Sequence, residues 1–174
     1  MKEFTMGDEP EELAPVDPKP KQLLTIELVP STSWGNNLRA ILPRKDWDIL
    51  RRAQYVQAGH VCEVCGGRGP HHPVECHERW MFDMGAHKQV LVGLIALCPK
   101  CHGVKHIGRT MDVKGPQGML DAQLHMSRVN GWSLGQSDIY IQDAFRTYHH
   151  LSQFQWEVDI SWAQEALQKL KSGS

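Results

Sequence analysis

The sequence lacks several features that would assign it to familiar classes. Its 174 residues contain no run of 18 apolar residues, so no conventional transmembrane helix is expected. The acidic, proline-rich residues 1–22 have no apolar stretch of the kind found in signal peptides, so we expect a cytoplasmic protein with no membrane attachment. No internal repeat is evident. We expect a disordered acidic tail over residues 1–22 and a single domain over residues 23–171.

Net charge is almost absent, at −1, but the charge is unevenly distributed. Residues 1–22 carry three basic and six acidic side chains, whereas residues 44–109 carry ten basic and six acidic ones. A basic segment is suited to phosphate contacts. A net +4 is modest, however, and a solvated surface of mixed charge accounts for it equally well.

Cysteines are few, and four of the five form two CxxC pairs, Cys62 with Cys65 and Cys98 with Cys101. Two intervening residues allow both sulfurs of a pair to reach one ion, and four thiolates give zinc a closed tetrahedral shell. The alternative is a redox CxxC, but neither pair lies in a thioredoxin-like βαβ pattern. The spacing therefore predicts a structural zinc ion held by all four cysteines.

Hydrophobic periodicity and turn residues predict a mixture of helices and strands. The predicted strands lie at residues 24–29, 90–97 and 157–160, and we expect the first to pair with the last. One short helix is predicted directly after Cys98. Four further helices are predicted at residues 43–58, 115–128, 136–151 and 161–171. Ser133 with Gln136 and Ser161 with Gln164 have the spacing of helix capping boxes.

A second set of metal ligands is predicted next to the zinc cysteines. His102 and His106 are four residues apart, so on a helix they share one face. Cys76 and His77 lie in the linker between the two CxxC pairs, and a hairpin in that linker would bring them over the helix. Such a site would leave an open coordination position, which distinguishes catalytic from structural metals.

These motifs resemble the HNH endonuclease family. The matching strings are CEVC at residues 62–65, ECH at residues 75–77 and LCPKCHGVKH at residues 97–106. The resemblance covers residues 60–107 and leaves residues 111–171 as a helical extension that carries no recognisable motif. It implies an α+β fold with a small zinc-centred ββα-metal core of the treble-clef type, to which we add flanking helices and a short pair of terminal strands.

The resemblance also implies roles for individual residues. His77 would be the general base, and Cys76, His102 and His106 would surround a second divalent ion (Mg²⁺, Mn²⁺, Ni²⁺ or Zn²⁺). For phosphate contacts we favour three basic residues near this motif: Arg79, Lys105 and Arg109.

The sequence departs from the family pattern in two places. Gly93 occupies the position of the family's asparagine, which orients the base, and His87 or Gln89 would have to replace it. Cys76 stands where the family has a harder ligand. Cys76 is alternatively a buried thiol with His77 as the metal ligand, and the flanking Glu75 and Glu78 are further candidate oxygen ligands.

Two functions follow as expectations. The first is a metal-dependent endonuclease that hydrolyses DNA phosphodiester bonds. The second is a catalytically inactive zinc module that binds nucleic acid, or a protein partner through its C-terminal helices. A redox or metal sensor is a third class, and it would require Cys76 to be an exposed thiol of low pKa.

Overall fold

Residues 23–173, which are the residues that the computed structural model describes, form both helices and strands. The predicted tail at residues 1–22 lies outside this range. The described part contains six α-helices and three strands, which confirms the predicted α+β class. In chain order the elements are α1 (Leu38–Ile41), α2 (Arg44–Gln57), β1 (Glu75–Asp83), β2 (Lys88–Leu97), α3 (Pro99–Lys105), α4 (Ile107–Asn130), α5 (Leu134–Leu151), β3 (Glu157–Asp159) and α6 (Ser161–Ser172).

Strands β1 and β2 form an antiparallel hairpin, against which helices α2, α3 and α6 pack. At its turn the Asp83 carboxylate accepts hydrogen bonds from the backbone N–H groups of Gly85 and Ala86. Strand β2 is apolar over much of its length because both of its faces are covered. Ile95 packs in a cluster with α3, α4 and α5, whereas Leu94 packs in a second cluster with α2 and α6.

The predicted pairing of residues 24–29 with residues 157–160 is wrong. Strand β3 instead pairs in parallel with β2, with Glu157 opposite Lys88. Residues 24–29 belong to no helix or strand, and other groups satisfy part of their backbone: Leu24 hydrogen bonds to the Asn130 side chain, and the Glu27 N–H donates to the Lys105 carbonyl.

The predicted helices are present, with two differences. Helix α4 is longer than predicted, because it runs on from Ile107 through a kink at Gly115, whose φ of +66° suits glycine. The capping box of α5 is confirmed, with reciprocal hydrogen bonds between Ser133 and Gln136. The capping box predicted at Ser161 is wrong, because Ser161 lies inside α6 and its hydroxyl donates to Asp159.

Within residues 23–173, no helix combines the length and apolar character needed to cross a membrane. The architecture places the hairpin between two layers of helices. Helix α3 follows directly from β2, so it lies beside the first residues of β1, which pair with the end of β2. This ββα unit positions both groups of predicted metal ligands.

Candidate metal centres

The four CxxC cysteines converge on one point. The sulfur atoms of Cys62, Cys65, Cys98 and Cys101 all lie within 4.8 Å of one another, and Sγ of Cys65 is 3.7 Å from Sγ of Cys98. The first pair lies on the loop after α2, where Gly66 at φ +72° turns the chain. The second pair lies where β2 passes into α3. These four thiols can hold one metal ion, as the spacing predicts.

The protonation of this cluster depends on the thiols themselves. Hydrogen bonds from Cys101 and Cys98 lower the pKa of Cys62, and the same interactions with Cys62 and Cys98 raise the pKa of Cys101. One thiolate is therefore stabilised by its protonated neighbours when no ion is bound. Metal binding must displace those protons, which makes the affinity of the cluster for metal dependent on pH.

His125, which no sequence motif marks, supports the cysteine cluster. Its Nε2 lies 3.2 Å from Sγ of Cys101. Burial lowers its pKa, and the charges of Lys100 and Arg128 lower it further, so the ring is neutral at pH 7. A neutral imidazole can donate its one N–H to a thiolate, which orients that ligand. No motif links His125 to the cysteines, because α4 delivers it from 24 residues away.

Three histidines form the second group. Ring nitrogens of His77, His102 and His106 all lie within 4.8 Å of one another, and the three rings meet edge to face. His77 projects from β1 and His102 from α3, while His106 ends α3 as its C-cap. Three imidazoles in this arrangement can hold one metal ion.

Two carboxylates hold the outer nitrogens of these rings. Oε2 of Glu27 lies 2.8 Å from Nε2 of His77, and Glu75 hydrogen bonds to Nδ1 of His102. Carboxylates of this kind fix the tautomer of metal-binding histidines and direct the free nitrogen towards the ion. Glu75 is a candidate ligand from its position beside Cys76 and His77, whereas no motif marks Glu27, which lies 50 residues before His77.

His102 and His106 are held in the neutral form that metal binding requires. Burial, followed by the neighbouring rings of His77 and His102, lowers the pKa of His106 to about 3. Burial and the proximity of His77 also lower the pKa of His102. Burial opposes ionisation of Glu27, but its hydrogen bond to His77 and the charge of Lys105 lower its pKa to about 2. His102 and His106 are therefore neutral imidazoles, and the Glu27 carboxylate beside His77 is ionised.

Lys105 is not available for the phosphate contact predicted for it. Its side chain is 2% exposed, and its ammonium donates hydrogen bonds to Oγ1 of Thr25 at 2.7 Å and to Glu27. The physical reason is its position in α3, which turns Lys105 towards Thr25 and Glu27. Its role in this structure is to compensate the Glu27 charge.

Cys76 lies on the opposite face of β1 from His77, because neighbouring strand residues point to opposite faces. It packs against the cluster of α2 and α6, away from the three histidines. Burial and the nearby Glu78 raise its pKa to about 12, so the thiol stays protonated at pH 7. The structure thus does not bring Cys76 into the histidine group, and it gives Cys76 none of the exposed, low-pKa character that a sensor needs.

Gly93 stands at the position where the HNH family has its orienting asparagine, and glycine has no side chain that could take this role. It faces open space on β2, opposite Arg79. The two suggested substitutes are engaged elsewhere: the His87 ring stacks on Trp156, and the Gln89 amide donates to the Asn36 carbonyl. It is Glu27 that contacts and orients His77.

The two remaining basic candidates are exposed near the histidines. Arg79 is two residues from His77 on β1, which places both on the same side of the strand. Arg109 lies on the first turn of α4, and its charge contributes to the lowered pKa of both His102 and His106.

Comparison of the chain with protein-family models, curated proteins and solved structures found no match.

Proposed function

We propose that the four cysteines hold a structural zinc ion. Tetrahedral sulfur coordination is typical of zinc, and such sites are closed to solvent water and substrate. The convergence of all four sulfurs supports the proposal.

Metal analysis of the purified protein tests this assignment. Cys62→Ala should lose the zinc and unfold at least the hairpin, because binding of a structural zinc contributes about 10–16 kcal/mol to folding. Cys76→Ala is the matched control, since Cys76 packs away from the cluster and should leave the zinc content unchanged. Equal zinc content in both variants would contradict the assignment.

We propose that the chain is a metal-dependent phosphodiesterase acting on DNA. The observation that carries the proposal is the group of three imidazoles with Glu27 and Glu75 bound to two of their outer nitrogens. A divalent ion bound there would polarise a phosphodiester and lower the pKa of a coordinated water. Imidazole ligands favour Zn²⁺, Ni²⁺ and similar ions over Mg²⁺.

The geometry supports a ligand role for His77 over a role as general base. Its Nδ1 lies 3.1 Å from Nε2 of His106. Two nitrogens on one tetrahedral zinc, each about 2.1 Å from the ion, lie about 3.4 Å apart, which is close to this separation. A base that removes a proton from a bound water would stand farther back. His77 would therefore be the third ligand, with Glu27 orienting it.

The remaining residues would bind and orient the substrate. Arg109 and Arg79 are exposed and lie close in the chain to His106 and His77, where their guanidinium groups can donate paired hydrogen bonds to phosphate oxygens. Glu75 has 39% of its side chain exposed, so besides orienting His102 it can accept a proton at the mouth of the site.

A plasmid-nicking assay across Mg²⁺, Mn²⁺, Ni²⁺ and Zn²⁺ tests the proposal. His106→Ala should reduce cleavage by more than about a hundredfold, and Glu75→Gln by roughly 10–100-fold, the usual loss for a residue that supports a metal ligand. His149→Ala is the control, because His149 is exposed on α5 outside both metal groups.

Counting metal ions separates the two roles of His77. In His77→Gln, a ligand role predicts loss of the second ion together with cleavage, whereas a base role predicts that the second ion stays and only cleavage is lost. Retention of the zinc in the cysteine cluster reports that the variant is folded. Absence of cleavage with every ion, together with DNA binding that weakens as salt rises, would instead favour the inactive nucleic-acid-binding module.

A further inference from the structure

A groove of about 340 Å³ opens beside the histidine site. Its lining includes Arg51 and Tyr55 from α2, and His60 and His72 from the residues between α2 and β1. Glu75 also lines the groove, and the same carboxylate hydrogen bonds to His102. The groove and the histidine site are therefore adjoining spaces with one shared residue.

The side chains of the groove are held in place by local contacts. Nε of Arg51 donates to Oδ1 of Asp48 at 2.7 Å. His60 has a positive φ of +56°, which is uncommon for a residue with a side chain, and its N–H donates to the Tyr55 carbonyl at 2.9 Å. The rings of Tyr55 and His60 lie 6.4 Å apart as a result.

The chemistry of these side chains suits an unpaired nucleotide. Bases that are not paired stack on aromatic rings, including histidine, and on the plane of an arginine guanidinium. Arg51, Tyr55, His60 and His72 bring both kinds of surface to one groove. The negative charge of Glu75 is directed at His102 and the metal group, so it does not stand unpaired in the path of a phosphate.

We propose that this groove binds the unpaired nucleotide next to the phosphodiester that is cleaved at the histidine site, an inference that rests on the proposed phosphodiesterase function. Ligand pockets span roughly 300–1,000 Å³, so the groove is large enough for about one nucleotide and too small for a duplex. The preferred substrate is then a DNA strand with an unpaired residue at the cleavage point, and continuous duplex is the poorer substrate.

Binding of a fluorescein-labelled oligothymidine, measured by fluorescence anisotropy without added divalent ion, tests the proposal apart from cleavage. His60→Gly removes the ring and keeps a residue that accepts positive φ, and His72→Ala removes the second exposed ring. Each should weaken binding about tenfold, within the range measured for loss of one stacking partner. His71→Ala is the matched control, since His71 is an exposed neighbour that does not line the groove, and it should bind like the unmodified protein.

A blunt duplex of the same length is the second probe. The proposal predicts that its binding is unchanged in His60→Gly and His72→Ala. Oligothymidine binding that is unchanged in both variants, or duplex binding that falls as much as oligothymidine binding, would overturn it. A different outcome is that the groove variants weaken oligothymidine binding selectively but no divalent ion supports nicking. In that case the proposed phosphodiesterase fails, and with it the assignment of the groove to a cleaved strand. Intact nicking with no effect of the groove variants would refute the groove alone.

Discussion

Replacement of Lys105 by methionine tests whether this residue is a buried structural charge or a surface contact for DNA. Methionine is similar in length to lysine and fills the same apolar space, but it carries no charge. The change removes the ammonium group that hydrogen bonds to Thr25 and Glu27. Glu27 would keep only its contact with His77 as an ionised carboxylate in a largely buried place.

The expected loss of stability follows from the burial of this pair. Removing one partner of a buried ion pair costs about 3–5 kcal/mol, because the other charge remains without compensation. Since 28% of the Glu27 side chain is exposed, water screens part of that charge, and we expect the lower end, about 3 kcal/mol. The double variant Lys105→Met with Glu27→Gln should lose less than the sum of the single variants, by about 1–3 kcal/mol, because both residues belong to one network.

Two assays decide the outcome. Urea unfolding of the zinc-loaded protein gives the free energy of unfolding, and the salt dependence of DNA binding gives the number of phosphate contacts. Arg109→Ala should reduce the salt slope by about one, whereas Lys105→Met should leave it unchanged. If Lys105→Met retained its stability within about 1 kcal/mol and lowered the salt slope, the structural role argued for Lys105 would be refuted.

Two further predictions concern a supporting histidine and a helix cap. His125→Ala removes the hydrogen bond to Cys101 and should weaken zinc affinity roughly 10–100-fold in a chelator competition, with His149→Ala unchanged; equal affinity in both would contradict the support role. Ser133→Ala removes the cap of α5 and should cost about 1 kcal/mol of unfolding free energy. Ser161→Ala, at a position that does not cap α6, should cost less than about 0.5 kcal/mol, and a similar loss in both variants would contradict this difference.

The residues that sequence reasoning placed correctly are those with short, regular spacing. Two CxxC pairs predict the cysteine cluster, because a turn of two residues fixes the geometry of each pair. His102 and His106 follow the periodicity of a helix, and β2 and α2 follow their apolar patterns. In each case a local pattern determines where the side chains point, and the tertiary structure preserves that arrangement.

Other predictions failed because contacts between residues distant in sequence, and not the local sequence pattern, decide where those residues lie. The ECH string does not reveal that strand alternation separates Cys76 from His77, although Glu75 and His77 do share a face. An apolar run at residues 24–29 satisfies its backbone through a helix end and the Asn130 side chain, and so it needs no partner strand. The composition of residues 24–29 does not distinguish a strand paired in a sheet from the observed unpaired segment, since both arrangements bury the same apolar side chains.

Glu27 shows why the histidine site depends on the whole fold as much as on the ββα unit. It reaches His77 and Lys105 because the segment around it lies against α3, where the Glu27 N–H donates to the Lys105 carbonyl. That segment is held in turn where Asn130, the last residue of α4, accepts from and donates to the backbone of Leu24. The orientation of one metal-binding ring is therefore determined by residues from three distant parts of the chain. A hairpin and helix cut from this protein would contain all three histidines and yet lack the carboxylate that fixes His77.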